Sequence, residues 1–143
     1  MSQSRWDQKF LTLAIGVSDW SKDPNTKVGC IIVDNDNNIL CTGYNGFPRG
    51  VVDSSPRLQD RDLKLQIIIH AEANAVAVGG RSRLMGATAY ITRPPCSQCA
   101  GLLIQAGIKR IVWLRIDGET KWQANMELAR IILKEAGIEI EAR

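Results

Sequence analysis

Residues 96–115 read CSQCAGLLIQAGIKRIVWLR, a small-residue and leucine run that stops at Gly107 and turns at once into a β-branched and aromatic run. Glycine in that place is a natural left-handed helix stop, and IKRIVWLR after it has the composition of a strand. The same order of helix, glycine and strand recurs on both sides. Upstream, HAEANAVAV at 70–78 ends at Gly79-Gly80 and gives way to ATAYIT at 87–92. Downstream, KWQANMELARIILKEA at 121–136 ends at Gly137 and is followed by IEIE. Helices and strands that alternate with short links predict parallel strands joined by right-handed crossovers, with helices on both faces of the sheet.

The first half of the chain is patterned differently. Between residues 4 and 20, Trp6, Phe10, Leu13, Ala14, Val17 and Trp20 recur at helical spacing, and Asp23-Pro24-Asn25 ends the run. VGCIIVD at 28–34, the turn DNDNN and ILCTGYN at 39–45 predict a β-hairpin whose Cys30 and Cys41 face the core. Residues 46–66 mix Gly, Pro, Asp and Arg without periodicity and are expected to form a long loop, with a helical turn at 58–65. The expected fold class is α/β, a three-layer α/β/α sandwich with a mixed sheet of about five strands, made by one domain over residues 1–143.

The 143 residues are 45% apolar and 23% charged, which suits a globular chain with a real core. A net charge of +3 and a pI near 8.8 allow an anionic small molecule but fall short of a nucleic-acid-binding surface. MSQSRWDQKF lacks the layout of a signal peptide, and no apolar run nears the roughly 20 residues that span a bilayer, so no membrane partner and a cytoplasmic location are expected. In that setting four cysteines point to metal ligands or buried thiols, not to disulfides.

The sole histidine stands two residues before a glutamate, in His70-Ala71-Glu72, and Pro95-Cys96-Ser97-Gln98-Cys99 follows. H-x-E with P-C-x-x-C is the signature of zinc deaminases, in which the Glu moves protons and does not ligate the metal. Two cysteines three apart at a helix start can turn both sulfurs to one ion, and the partial positive charge of the helix terminus favours thiolates. With His70 opening a second helix, Zn2+ has three protein ligands and a fourth position for water, the arrangement of a catalytic site. Glu72, at i+2 from His70, cannot share its face of the helix and is placed to lean over the water as general acid and base.

With these residues in place, the chain resembles the deoxycytidylate (dCMP) deaminase family. The resemblance runs through Ser21 to Gly29 (SKDPNTKVG), Gly43-Tyr44-Asn45-Gly46 with Pro48 and Gly50, His70 to Ala75 (HAEANA), and Pro95 to Cys99. It implies hydrolysis of dCMP to dUMP and ammonia for thymidylate synthesis, with dCTP as activator and dTTP as inhibitor of a homohexamer. The substrate-binding set it implies is Asn45 and Ala71, with Ser21, Asn25 and Lys27 toward the 5′-phosphate. The effector triphosphate, with Mg2+, is expected on Gly43, Tyr44, Gly46, Pro48, Arg49 and Gly50, where Arg49 offers a forked phosphate contact. Some family members carry a second zinc held in part by a histidine in the first half, which this chain lacks, so one zinc per chain is expected. Two other readings share the zinc pattern: a tRNA adenosine deaminase, against which stand the 46–66 insertion and the modest charge, and a non-catalytic zinc-binding module, which would not need Glu72.

Overall fold

A computed structural model describes residues 2–118 and 120–143. Their elements, in chain order, are α1 (Gln3–Ser18), β1 (Gly29–Val33), β2 (Ile39–Tyr44), α2 (Ser55–Gln59), α3 (Arg61–Ile67), α4 (Ala71–Gly79), α5 (Arg81–Leu84), β3 (Thr88–Ile91), α6 (Ser97–Gln105), β4 (Arg110–Trp113), α7 (Gln123–Glu135) and β5 (Glu139–Ala142). The five strands form one sheet in the order β2-β1-β3-β4-β5. The β1–β2 and β1–β3 pairs are antiparallel, and β3, β4 and β5 run parallel, so the sheet is mixed as the hairpin required.

Side-chain alternation along the strands separates two cores. Ile31, Val33, Tyr90 and Val112 pack on one face against Phe10, Leu11, Ala14 and Val17 of α1. Cys30, Ile32, Ala89, Ile91, Ile111 and Trp113 pack on the other against Ala71 and Ala75 of α4, Leu103 of α6, and Ala129 and Leu133 of α7. These are the three layers of the expected sandwich. On α1 the buried stripe uses Leu11, while Leu13 and Trp20 are exposed; the helix ends at Ser18, so Trp20 is off its register. Under α1, the buried Asp7 carboxylate accepts from Arg110 at 2.8 and 2.7 Å and from Tyr90 at 2.6 Å, joining the helix to β3 and β4. Burial would raise its pKa, but the Arg110, Tyr90 and Gln3 hydrogen bonds hold it down at about 2 and keep it ionised.

The 46–66 segment is more ordered than a loop. Asp60 caps α3 by accepting from Leu63 N–H at 3.2 Å, and Pro56 stands in the first turn of α2. The chain then re-enters the sheet region through a two-way backbone bridge between Gly46 and Ile69, one residue before His70. Helix α4 lies close on β2 because residue 43 has no side chain. A Cβ there would sit 2.2 Å from Ala71 O and 2.6 Å from Ala75 N. Gly43→Ala must push α4 off the sheet, and a loss of about 1–3 kcal/mol is expected, as for overpacked cores. Thermal unfolding checks this, and an unchanged Tm would contradict the contact.

Candidate metal centre

Strand ends aim the site. Helix α4 begins beside the end of β2, and α6 begins six residues beyond the end of β3, with His70 and Cys96 as their N-caps. His70 Nδ1 lies 3.5 Å from Cys96 Sγ and 3.3 Å from Cys99 Sγ. Among the described residues this is the one group of three His, Cys, Asp or Glu side chains whose ligand atoms all lie within 4.8 Å of one another. The fit to zinc is quantitative: Zn–N near 2.0 Å and Zn–S near 2.3 Å at a tetrahedral angle give an N···S edge of about 3.5 Å.

The electrostatics point the same way. Cys96 is held down at about 4, first by the hydrogen bond with Cys99 and then, against burial, by His70. Cys99 is pushed up by the same pairing and by burial, and His70 is raised by its bond to Cys96. Two sulfurs and an imidazole that contend for the same protons are a donor set suited to a borderline-soft cation. Glu72, 4% exposed and two residues after His70, has its pKa raised by burial. Burial that favours the protonated form of a carboxyl in a cavity marks it as a candidate proton carrier.

The cluster opens into a cavity of about 720 Å³ lined by His70, Glu72, Cys96 and Asn45 among others, with Arg61, Arg93, Lys121 and the Asp23-paired Lys64 as its cations. Asn45 is buried, its Oδ1 accepting from Val28 N–H at 2.8 Å and its Nδ2 donating to Thr26 O at 2.8 Å. It thus orders the loop before β1 and keeps one Oδ1 lone pair for a ligand.

The remaining expected residues divide. Asn25 lines the cavity, whereas Ser21 and Lys27 do not. Ser21 is buried, its Oγ donating to Asn45 O at 2.8 Å and accepting from Asp23 N–H at 3.2 Å, so its hydroxyl builds the loop. Ala71 is fully buried beneath Gly43, and Gly43 itself is covered by α4. Tyr44 is 40% exposed and meets Trp20 edge to face; Pro48, Arg49 and Gly50 form an exposed turn closed by Val51 N–H to Pro48 O.

Two side chains of the site, Lys64 and Arg93, have no local signal in the sequence. Asp23 Oδ1 accepts from Asn25 N–H, Thr26 N–H and the buried Lys64 ammonium, the last at 2.9 Å, pinning α3 to the loop below the cavity. Asp before Pro-Asn signals such a turn, but nothing near Lys64 marks it as a buried partner. Arg93 also lines the cavity, three residues before Cys96, and an arginine there has no spacing that marks it as a site residue.

Residues 4–115 match the family described as "Cytidine and deoxycytidylate deaminase zinc-binding region". A probable deoxycytidylate deaminase of Caenorhabditis elegans is 42% identical over 124 residues, 85% of this chain, and the chain spans 63% of that relative's length. The human deoxycytidylate deaminase is 33% identical over 138 residues, 93% of this chain and 76% of the human one. Among solved structures, the dCMP deaminase of the cyanophage S-TIM5 in apo form superposes with a TM-score of 0.76 at 26% identity, covering 100% of both chains. The same phage enzyme in complex with dCMP and dUMP gives a TM-score of 0.76 at 25% identity, over 100% of this chain and 99% of that one.

Proposed function

Because the chain belongs to the cytidine and deoxycytidylate deaminase zinc-binding family, we propose that it hydrolyses dCMP to dUMP and ammonia, with zinc held by His70, Cys96 and Cys99. The observation that carries this reading is the convergence of the three ligand atoms beside a buried Glu72 in a cavity with cationic walls. When bound, zinc supplies a Lewis acid that brings the pKa of a water to about 7. Glu72 would take one proton from that water and pass it to the ring nitrogen N3, then take the remaining proton from the hydroxyl now on C4 and hand it to the departing amine. The C4–O bond forms, the C4–N bond breaks, and ammonia leaves. The raised pKa of Glu72 is what lets one carboxyl both accept and return protons.

Asn45 holds a sugar hydroxyl through its spare lone pair, and Ala71 stands behind the base. The 5′-phosphate is met by Arg61, Arg93 and Lys121 with Asn25, four of the polar groups of the cavity wall. Ser21 supports this arrangement through Asn45, and Lys27 contributes long-range charge only.

Regulation follows the family pattern in this reading: a cytoplasmic homohexamer serving thymidylate synthesis, activated by dCTP and inhibited by dTTP, each with Mg2+. The exposed Tyr44, Pro48, Arg49 and Gly50, with the half-buried Gly46, take the triphosphate, and Gly43 acts beneath α4. The local bonds supply a route for such control, since Tyr44 O accepts from Asn74 Nδ2 of α4 at 2.8 Å and Gly46 pairs with Ile69 beside His70.

A panel of dCMP, CMP, deoxycytidine and dCTP, read by ammonia release, tests substrate choice. dCMP is expected to exceed deoxycytidine by about 100-fold or more in kcat/KM, since two charge-assisted contacts at about 1.5 kcal/mol each are lost with the phosphate. Equal values would contradict the phosphate assignment. dCMP rates unmoved by dCTP–Mg and dTTP–Mg would remove the allosteric part alone.

A further inference from the structure

Asn125 lies in the first turn of α7, beyond residues 4–115 that carry the family match. Its amide is committed twice to a single residue: Oδ1 accepts from Ser97 N–H at 2.8 Å, and Nδ2 donates to Ser97 Oγ at 2.9 Å. Ser97 opens α6, directly after Cys96 and two residues before Cys99. The first N–H groups of a helix have no partner within it. Here Cys99 N–H turns to Cys96 Sγ at 3.5 Å and Ala100 N–H to Cys96 O at 2.9 Å, while that of Ser97 goes to α7.

The Ser97 N–H belongs to the planar peptide that also contains the Cys96 carbonyl and Cα. An acceptor fixed on α7 therefore sets the tilt of that plane, and with it the direction in which the Cys96 side chain leaves the backbone. The second bond, to Ser97 Oγ, stops the amide from swinging. The start of α7 is also cavity wall, where Trp122, Asn125 and Met126 stand with Lys121.

We propose that Asn125 is a positioning residue for the metal centre, clamping the Cys96–Ser97 peptide so that Cys96 Sγ faces Cys99 and His70. The inference rests on the zinc reading above, and its test is metal retention in the zinc-loaded full chain, without substrate. Zinc release to a chelator is timed for the wild type, Asn125→Ala, Asn125→Asp and Ala129→Gly, and the Co2+-substituted forms are compared by absorption spectroscopy.

Asn125→Ala is expected to release zinc about tenfold faster or more, the scale seen when an outer hydrogen-bond partner of a metal site is lost, and to alter the Co2+ spectrum. Asn125→Asp still accepts from Ser97 N–H and can accept from its hydroxyl, so it recovers most of the loss. Ala129→Gly softens α7 through the helix-interior glycine penalty without touching Ser97, and its release rate stays that of the wild type. Equal release from the wild type and Asn125→Ala overturns the proposal alone. So does equal acceleration in Ala129→Gly, because softening of α7 would then be sufficient. A wild-type chain that takes up no zinc overturns the metal reading and this inference together.

Discussion

Glu72→Gln protein is expected to fold, hold one zinc per chain and deaminate dCMP at least about 100-fold more slowly than the wild type, the contribution typical of a general acid–base group. The amide matches the carboxylate in shape, so the 4% exposed site at the start of α4 can accept it without a cavity or a clash. What it loses is a basic oxygen. The wild-type carboxyl has its pKa raised by burial and lines the cavity with His70 and Cys96, beside the three candidate ligands but not among them. Zinc content by metal analysis and kcat by ammonia release check the two halves separately. A variant within about tenfold of wild-type turnover would reject Glu72 as the proton carrier.

Cys99→Ser is expected to fail earlier, at the metal. Cys99 is 2% exposed, with its sulfur 3.3 Å from His70 Nδ1, so the substitution puts a neutral hydroxyl where a soft thiolate is needed. Two protein ligands then remain, and purified protein should contain less than about a tenth of an equivalent of zinc, with activity lost in proportion. Restoring zinc at high concentration should restore little turnover. A Cys99→Ser protein with full zinc and activity would show that the metal is held elsewhere.

The contrast between the two variants separates chemistry from ligation. One keeps the ion and loses the proton; the other loses the ion with Glu72 still in place.

Much of this was legible in the sequence because the signals are local. Glycines 107 and 137 have φ of 80° and 78° and end their helices where the pattern placed the stops. His70 and Cys96 stand at helix starts, so the short H-x-E and P-C-x-x-C spacings carried enough information to converge three atoms. What was not legible depends on contacts far apart in the chain. Lys64 meets Asp23 across 41 residues, and Asn125 meets Ser97 across 28. Each looks like an ordinary polar helix residue until the fold supplies its partner.

Ser21 and Gly43 show the complementary difficulty. A serine and a glycine near a substrate motif suggest ligand contact, yet the Ser21 hydroxyl is spent on Asn45 and Asp23, and Gly43 is the gap into which α4 fits. The short helices α2 and α3 are legible in the sequence only as one helical turn at 58–65, because few of their side chains are buried, which leaves no apolar period to read. On α1, burial of Asp7 with Arg110 turns the inward stripe toward Leu11 and leaves Leu13 outside.

Conversion of a cytosine nucleotide to its uracil product in this cavity, with zinc and Glu72, is the proposed activity. It is tested most directly by incubating zinc-loaded wild-type protein with dCMP and following dUMP and ammonia together. One mole of ammonia per mole of dUMP, lost when a chelator strips the zinc and regained when zinc is returned, is the predicted result. Protein that carries one zinc per chain and releases neither product from dCMP would contradict it.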